Sequence, residues 1–158
     1  KKDTHGTPFR RAIEEKLIDP SLSCQIGLRG PLYDKKDSTM SEDEGLLAIT
    51  GPELHQIGID RAIKLVKERV GNGPAYLTFD IDFLDPAYAP GTGTPEAGGF
   101  TGYESIRFIR GLKNIDFIGF DLVEVMPGYD PTQMTCLLAA NIIYEFISLI
   151  ALQKKAGQ

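Results

Sequence analysis

Only two cysteines, Cys24 and Cys136, occur in the chain, too few for a disulfide framework and not spaced as a Cys-type metal pair. Both stand in apolar stretches and read as buried thiols, the usage of a reducing, cytoplasmic compartment. Clustered positive charge is missing as well. The 17 Lys and Arg are mixed with 22 Asp and Glu, and the net charge is −5. That balance speaks against nucleic acid as the main partner, because phosphate binding needs a basic face; it suits cations or cationic small molecules better. No long uninterrupted apolar run is present either. The longest such segment, around residues 137–152, is broken by Asn141, Tyr144 and Glu145 and reads as too short and too polar to span a bilayer. No signal peptide opens the chain at Lys1, which fits a cytoplasmic protein without a membrane partner, and the abrupt start without Met suggests a piece of a longer one. Internal repeats and low-complexity tracts are absent too, and no hairpin dipeptide joins one predicted strand directly to the next, which leaves crossover connections between strands.

What the chain does have is alternation. Its 158 residues, 42% apolar and 25% charged, suffice for one domain with a real core. Thr7-Pro8 predicts an N-cap with Pro at the first helical position and a helix to about Ile18. Residues 23–28 read as a short strand entering Arg29-Gly30-Pro31, followed by a polar connection over 31–44 with one helical turn around 41–44. A second strand covers 46–50, and a helix then runs to about Val70 with Leu54, Ile57, Ile63, Val66 and Val70 at helical spacing. The third strand is 75–81. Thr101 and Glu104 form a capping box that opens a helix to about Leu112. Residues 115–123 are a fourth strand, apolar enough to be covered on both faces. Asp130-Pro131 starts a last helix to about Leu152. This order predicts an α/β fold with one parallel sheet. Right-handed crossovers then place all strand C-termini on one edge, where ligand sites of such folds lie. The Arg29-Gly30 turn, Asp80, Asp82 and Glu124 all fall at such ends.

The stretch 77–99, LTFDIDFLDPAYAPGTGTPEAGG, concentrates the chemistry. Residues two apart on a strand share a face, so Asp80 and Asp82 can converge on one cation. An EF-hand-type calcium loop does not fit, since Leu84, Asp85 and Gly91 stand where a ligand, a Gly and the closing Glu would be needed. Hard oxygen donors without nearby Cys favour Mg²⁺, Mn²⁺ or Ca²⁺ over zinc. Asp85, before Pro86, reads as a hydrogen-bond acceptor that fixes the loop. His5 taken alone reads more readily as a surface or capping histidine, and Glu124 has a structural ion-pair role as its lesser alternative. His55 reads as a surface residue on its helix. Tyr33, Tyr88 and Tyr129 sit in strand-end loops, where they either line a pocket or cover the sheet edge.

Three motifs in order resemble those of one family. Residues 78–99 resemble the carboxylate loop of the ureohydrolases, the arginase/agmatinase family; His5-Gly6-Thr7-Pro8 resembles that family's His-Gly-x-Pro segment in its agmatinase-like form; and Phe120 to Pro127, FDLVEVMP, resembles its strand ending in Glu-Val-Asn-Pro. The resemblance implies a three-layer α/β/α fold with a parallel sheet, residues 1–158 being the C-terminal part of one such domain. It implies that Asp80 and Asp82 bind a dinuclear Mn²⁺ centre whose bridging hydroxide attacks a guanidinium carbon, releasing urea and an amine. Glu124 would accept the guanidinium through paired hydrogen bonds, Thr94 would hold the substrate or the loop, and His5 would shuttle a proton to the departing amine. It also implies a homo-oligomer, a trimer or hexamer, and a small guanidino substrate.

Two departures qualify the resemblance. The family draws four further metal ligands from motifs upstream of the His-Gly-x-Pro segment, and here only four residues precede His5, so the chain reads as an incomplete site. Secondly, Pro31 and Leu32 stand where arginases carry acids for the substrate's α-amino group, which favours agmatine or a guanidino acid over arginine. Met126 replaces the usual Asn beside Glu124. The expected activity is agmatine hydrolysis to urea and putrescine. The alternatives are a guanidinobutyrase, guanidinopropionase or proclavaminate amidinohydrolase, or a non-catalytic domain that keeps the fold.

Overall fold

The computed structural model describes residues 3–32 and 40–156. A short helix α1 (Pro8–Glu14) leads through a 3-10 turn (Pro20–Leu22) to β1 (Cys24–Leu28). After α2 (Met40–Asp43) come β2 (Leu47–Thr50), α3 (Gly51–Ile57), α4 (Ile59–Val70) and β3 (Pro74–Asp80). A 3-10 turn (Ile81–Phe83) opens the long loop to α5 (Gly102–Gly111), and β4 (Asp116–Val123), a 3-10 turn (Pro127–Tyr129) and α6 (Met134–Ala156) complete the chain. The α/β class and the parallel pairing are as expected. The single continuous sheet is not: among the described residues the strands form two parallel pairs, β1 with β2 and β3 with β4. The pairs meet through side chains instead of a ladder. Phe83, from the turn after β3, lies against the bulge at Gly27 in β1 and stacks on Phe100 at 4.7 Å.

Two apolar clusters hold these layers. Ile49, Leu54, Ala62, Val66, Phe108 and Leu112 join β2, α3, α4 and α5 into one. Phe79, Ile81, Ile109, Ile142 and Phe146 join β3, α5 and α6 into the other. The expectation that β4 is covered on both faces fails for a plain reason. Phe120 and Leu122 pack toward α6, whereas the opposite face carries Asp121 and Ile118, the latter 71% exposed, and no described element covers it.

Several boundaries move, each with a local cause. The helix from Thr7-Pro8 stops at Glu14 because Lys16 adopts φ +58° and the amides of Glu15, Lys16 and Leu17 close back on Arg11, Ile13 and Ala12. Thr7 does not cap α1 with its side chain; its hydroxyl closes a turn with Thr4. The helix predicted to Val70 is two helices, broken at Gly58, whose φ of +76° no β-carbon-bearing residue adopts cheaply. A capping box between Thr50 and Glu53 starts the first of them. The Thr101–Glu104 box stands as predicted. The last helix begins at Met134, not at Asp130, because Gln133 takes φ +57° and the buried Asp130 carboxylate instead accepts the Cys136 amide at 2.9 Å. It is longer than expected, and by length and composition alone α6 suffices to cross a membrane. Its inner face, with Ala139, Ile142, Phe146 and Leu149, is that of a core helix. Cys24 and Cys136 are free thiols, half-buried rather than buried. Burial pushes the Cys24 thiol up to about 11, which keeps it protonated and unreactive near neutral pH.

Candidate functional site

The carboxylates assemble at the C-terminal ends of β3 and β4. β3 ends at Asp80, and Asp82 lies in the 3-10 turn that follows, so the two do not share a strand face. They meet by another route: the Asp82 amide donates to Asp80 Oδ1 at 3.0 Å, which folds the turn back over the strand end. Glu124 follows β4 directly. It holds φ +64°, a left-handed conformation that costs a residue other than Gly about 1–3 kcal/mol and recurs at functional sites. An antiparallel bridge between Thr92 and Val125 and the bond from Met126 N to Gly91 O lash this strand end to the loop. A β-carbon on Gly93 would consequently sit 3.8 Å from the Glu124 carboxylate and 3.1 Å from Met126 Sδ. Thr94, one residue on, donates its hydroxyl to Asp82 Oδ2 at 3.3 Å.

Asp80, Asp82, Thr94 and Glu124 therefore lie together at this edge. The electrostatics are unfavourable for anions. Burial raises the Asp80 carboxyl to about 6, and the negative charges of Asp82 and Glu124 push in the same direction against the one amide bond from Asp82. A cation would relieve this. Among the described residues no group of three or more His, Cys, Asp or Glu side chains is placed to hold a metal ion.

The loop that carries Thr94 is shaped from several sides. Asp85 accepts the amides of Ala87 (3.0 Å), Gly98 (2.9 Å) and Gly99 (3.2 Å), which is the loop-fixing role expected of it and holds its carboxyl below the usual range, the Ala87 bond foremost. Gly99 admits no side chain, since a β-carbon would lie 2.4 Å from the Asp85 nitrogen. His55 is on the surface but not idle: its ring stacks on Phe100 at 4.3 Å and its Nε2 bonds to Gly98 O at 3.0 Å. The Arg29 guanidinium reaches the carbonyls of Asp82, Leu84 and Glu96. Sequence reasoning missed both of these side chains, because nothing local marks a histidine or arginine whose partners are loop carbonyls tens of residues away.

The remaining predicted residues are not joined to the cluster. His5 sits in the exposed turn before α1, with no contact to Asp80, Asp82 or Glu124 among the described residues. Tyr88 and Tyr129 are exposed at the rim, Leu32 is 58% exposed beyond β1, and Tyr33 lies outside the described residues.

A model of the arginase family matches residues 1–148. The chain belongs to the arginase family. Among its relatives, a guanidinopropionase of Pseudomonas aeruginosa is 45% identical over 148 residues, 94% of this chain and 46% of that protein. A guanidinobutyrase of the same organism is 47% identical over 149 residues, 94% of this chain and 47% of its own length. The crystal structure of a hypothetical agmatinase from Burkholderia thailandensis superposes with a TM-score of 0.86 at 39% identity, over 96% of this chain and 46% of that one. The chain thus spans about half the length of the curated relatives it matches. This arginase-family fold keeps its carboxylates at one strand-end edge.

Proposed function

We propose that these residues belong to a manganese-dependent ureohydrolase that cleaves a guanidino compound, agmatine foremost, to urea and an amine. The observation that carries this reading is the meeting of the half-buried Asp80 with Asp82 and Glu124 at one strand-end edge of an arginase-family chain, where burial and the neighbouring charges push the Asp80 carboxyl up to about 6. Its donors are hard oxygens, the set that suits manganese, and Asp80 with Asp82 would hold part of such a centre. When bound, manganese supplies hydroxide near neutral pH by lowering the pKa of water. Glu124, exposed beside Gly93, would accept two N–H groups of the planar guanidinium, which suits a carboxylate's paired lone pairs. Thr94 would keep the Asp82 carboxylate aimed at the cation through its hydroxyl. His5, which the family resemblance implies as the proton carrier to the leaving amine, stands apart from these carboxylates in its turn before α1.

The absence of acids at Pro31 and Leu32 supports a substrate without an α-amino acid head, as agmatine is. A second reading, cleavage of a guanidino acid, is favoured by the names of the Pseudomonas aeruginosa relatives. The test is urea release by the protein expressed from its complete reading frame, with manganese, from agmatine, 3-guanidinopropionate, 4-guanidinobutyrate and arginine. Agmatine should exceed the others by about tenfold or more in kcat/KM, a gap of roughly 1.4 kcal/mol. Preference for either acid would install the second reading, and release from none would remove both.

A further inference from the structure

One side chain ties the carboxylate turn to the opposite strand pair. Arg29 follows β1, and its stem lies against the start of α3, where a β-carbon on Gly51 would meet Arg29 Cβ and Cδ at 3.4 Å. Its half-buried guanidinium crosses to the far side of the site. Nη2 donates to the carbonyls of Asp82, Leu84 (3.2 Å) and Glu96 (2.9 Å), and Nε adds a bond to Glu96 O at 3.2 Å. All of these acceptors are backbone, and Arg29 makes no salt bridge among the described residues.

The consequence is greatest at Asp82. Its amide is held by Asp80, its carboxylate by Thr94 and its carbonyl by Arg29. Glu96, gripped by the same guanidinium, is two residues beyond Thr94. A three-residue 3-10 turn has little rigidity of its own, so the fork that spans turn and loop determines where both point. We propose that Arg29 is a positioning residue for the cation site: it fixes the turn so that the Asp82 carboxylate faces Asp80, and it holds the Thr94 loop above them. This rests on the reading of Asp80 and Asp82 as metal ligands. A lysine does not reproduce it, because a single ammonium has no second nitrogen to stand where Nε completes the two-nitrogen grip on Glu96 O.

The test titrates manganese into chelator-stripped wild type, Arg29→Lys, Arg29→Gln and Thr101→Ala, each from the complete reading frame, with thermal unfolding and urea release in parallel. Thr101→Ala removes the α5 cap and touches none of these atoms. The expected result for Arg29→Lys is a folded protein whose manganese affinity falls about 10- to 100-fold, the range for residues that orient ligands. Its kcat should fall while KM for the guanidino substrate stays within about threefold. Thr101→Ala should lower Tm with manganese affinity unmoved. An Arg29→Lys protein with wild-type manganese affinity overturns the proposal whatever its activity. So does unfolding of both Arg29 variants, which would make the residue a general stabiliser. Wild type that binds manganese but releases no urea removes the proposed reaction, while an affinity loss in Arg29→Lys still supports the positioning role.

Discussion

Two strand ends of this molecule carry a carboxylate on a tight turn and treat it in opposite ways. At the end of β2, Glu53 bonds to the Thr50 amide and hydroxyl at 2.8 Å each, and those bonds, the amide first, hold its carboxyl below the usual range. At the end of β3, Asp80 has one amide bond, is half-buried, faces two other carboxylates and is raised to about 6. The first charge is already answered by its own backbone and starts a helix. The second is left wanting a cation. Backbone strain divides the same way, since β4 ends in the left-handed Glu124 whereas β2 runs into α3 through an extended Thr50. In this fold, local satisfaction stops where the candidate site begins.

The sharpest way to break the comparison is Asp80→Asn. If the residue is a ligand, manganese binding at one site and urea release should both fall by roughly 100-fold or more, beyond what a merely supporting partner costs. Calorimetric titration and a urea assay read the two losses, and near-normal values for both would return Asp80 to the class of Glu53. Next in size is Glu124→Gln, which keeps shape and removes charge. Losing a charge-assisted hydrogen bond costs about 1.5–3 kcal/mol, so turnover should drop roughly 10- to 100-fold with manganese stoichiometry intact. Loss of metal in that variant would place Glu124 among the ligands instead.

The same contrast explains which parts were legible in the sequence. The strands, the Thr101–Glu104 box and the grouping of Asp80, Asp82 and Glu124 at strand ends rest on local periodicity and short spacings, which a sequence displays. Strand alternation puts Asp82 with Asp80 for the wrong reason, since an amide-to-carboxylate turn does it. The break at Gly58 was present as a glycine, but helical spacing on both sides masked it. Division of the strands into two pairs, and the reach of Arg29 and His55 to carbonyls 43 to 67 residues away, depend on long-range packing that no window of sequence contains.

A pH scan of chelator-treated protein separates the two carboxylates with smaller effects. The Asp80 pKa lies above its unfolded value of 3.8, so its contribution is fully present below that value and is lost as pH rises through about 6. Metal-free wild type should therefore lose Tm relative to Asp80→Asn between pH 4 and 7, and manganese at pH 7 should raise the Tm of wild type far more than that of the variant. For Glu53 the sign reverses: its folded pKa is depressed, so its contribution is present above the unfolded value of 4.5 and fades as pH falls below it. A wild-type Tm that tracks Asp80→Asn at every pH would show that burial at β3 imposes no such cost.

The smallest effect expected is at the satisfied end. Thr50→Ala deletes the hydroxyl that caps α3 and should cost about 0.5–2 kcal/mol, typically near 1. Thr50 adjoins Gly51 at the Arg29 stem, and among the described residues its side chain bonds to Glu53 and not to the turn at Asp82. Thermal unfolding should thus register the loss while kcat/KM and manganese affinity stay within about twofold. If instead metal affinity fell with the cap, the end of β2 and the end of β3 would be energetically one unit, coupled through Gly51 and the Arg29 stem, and the division between a satisfied strand end and a demanding one would have to be given up.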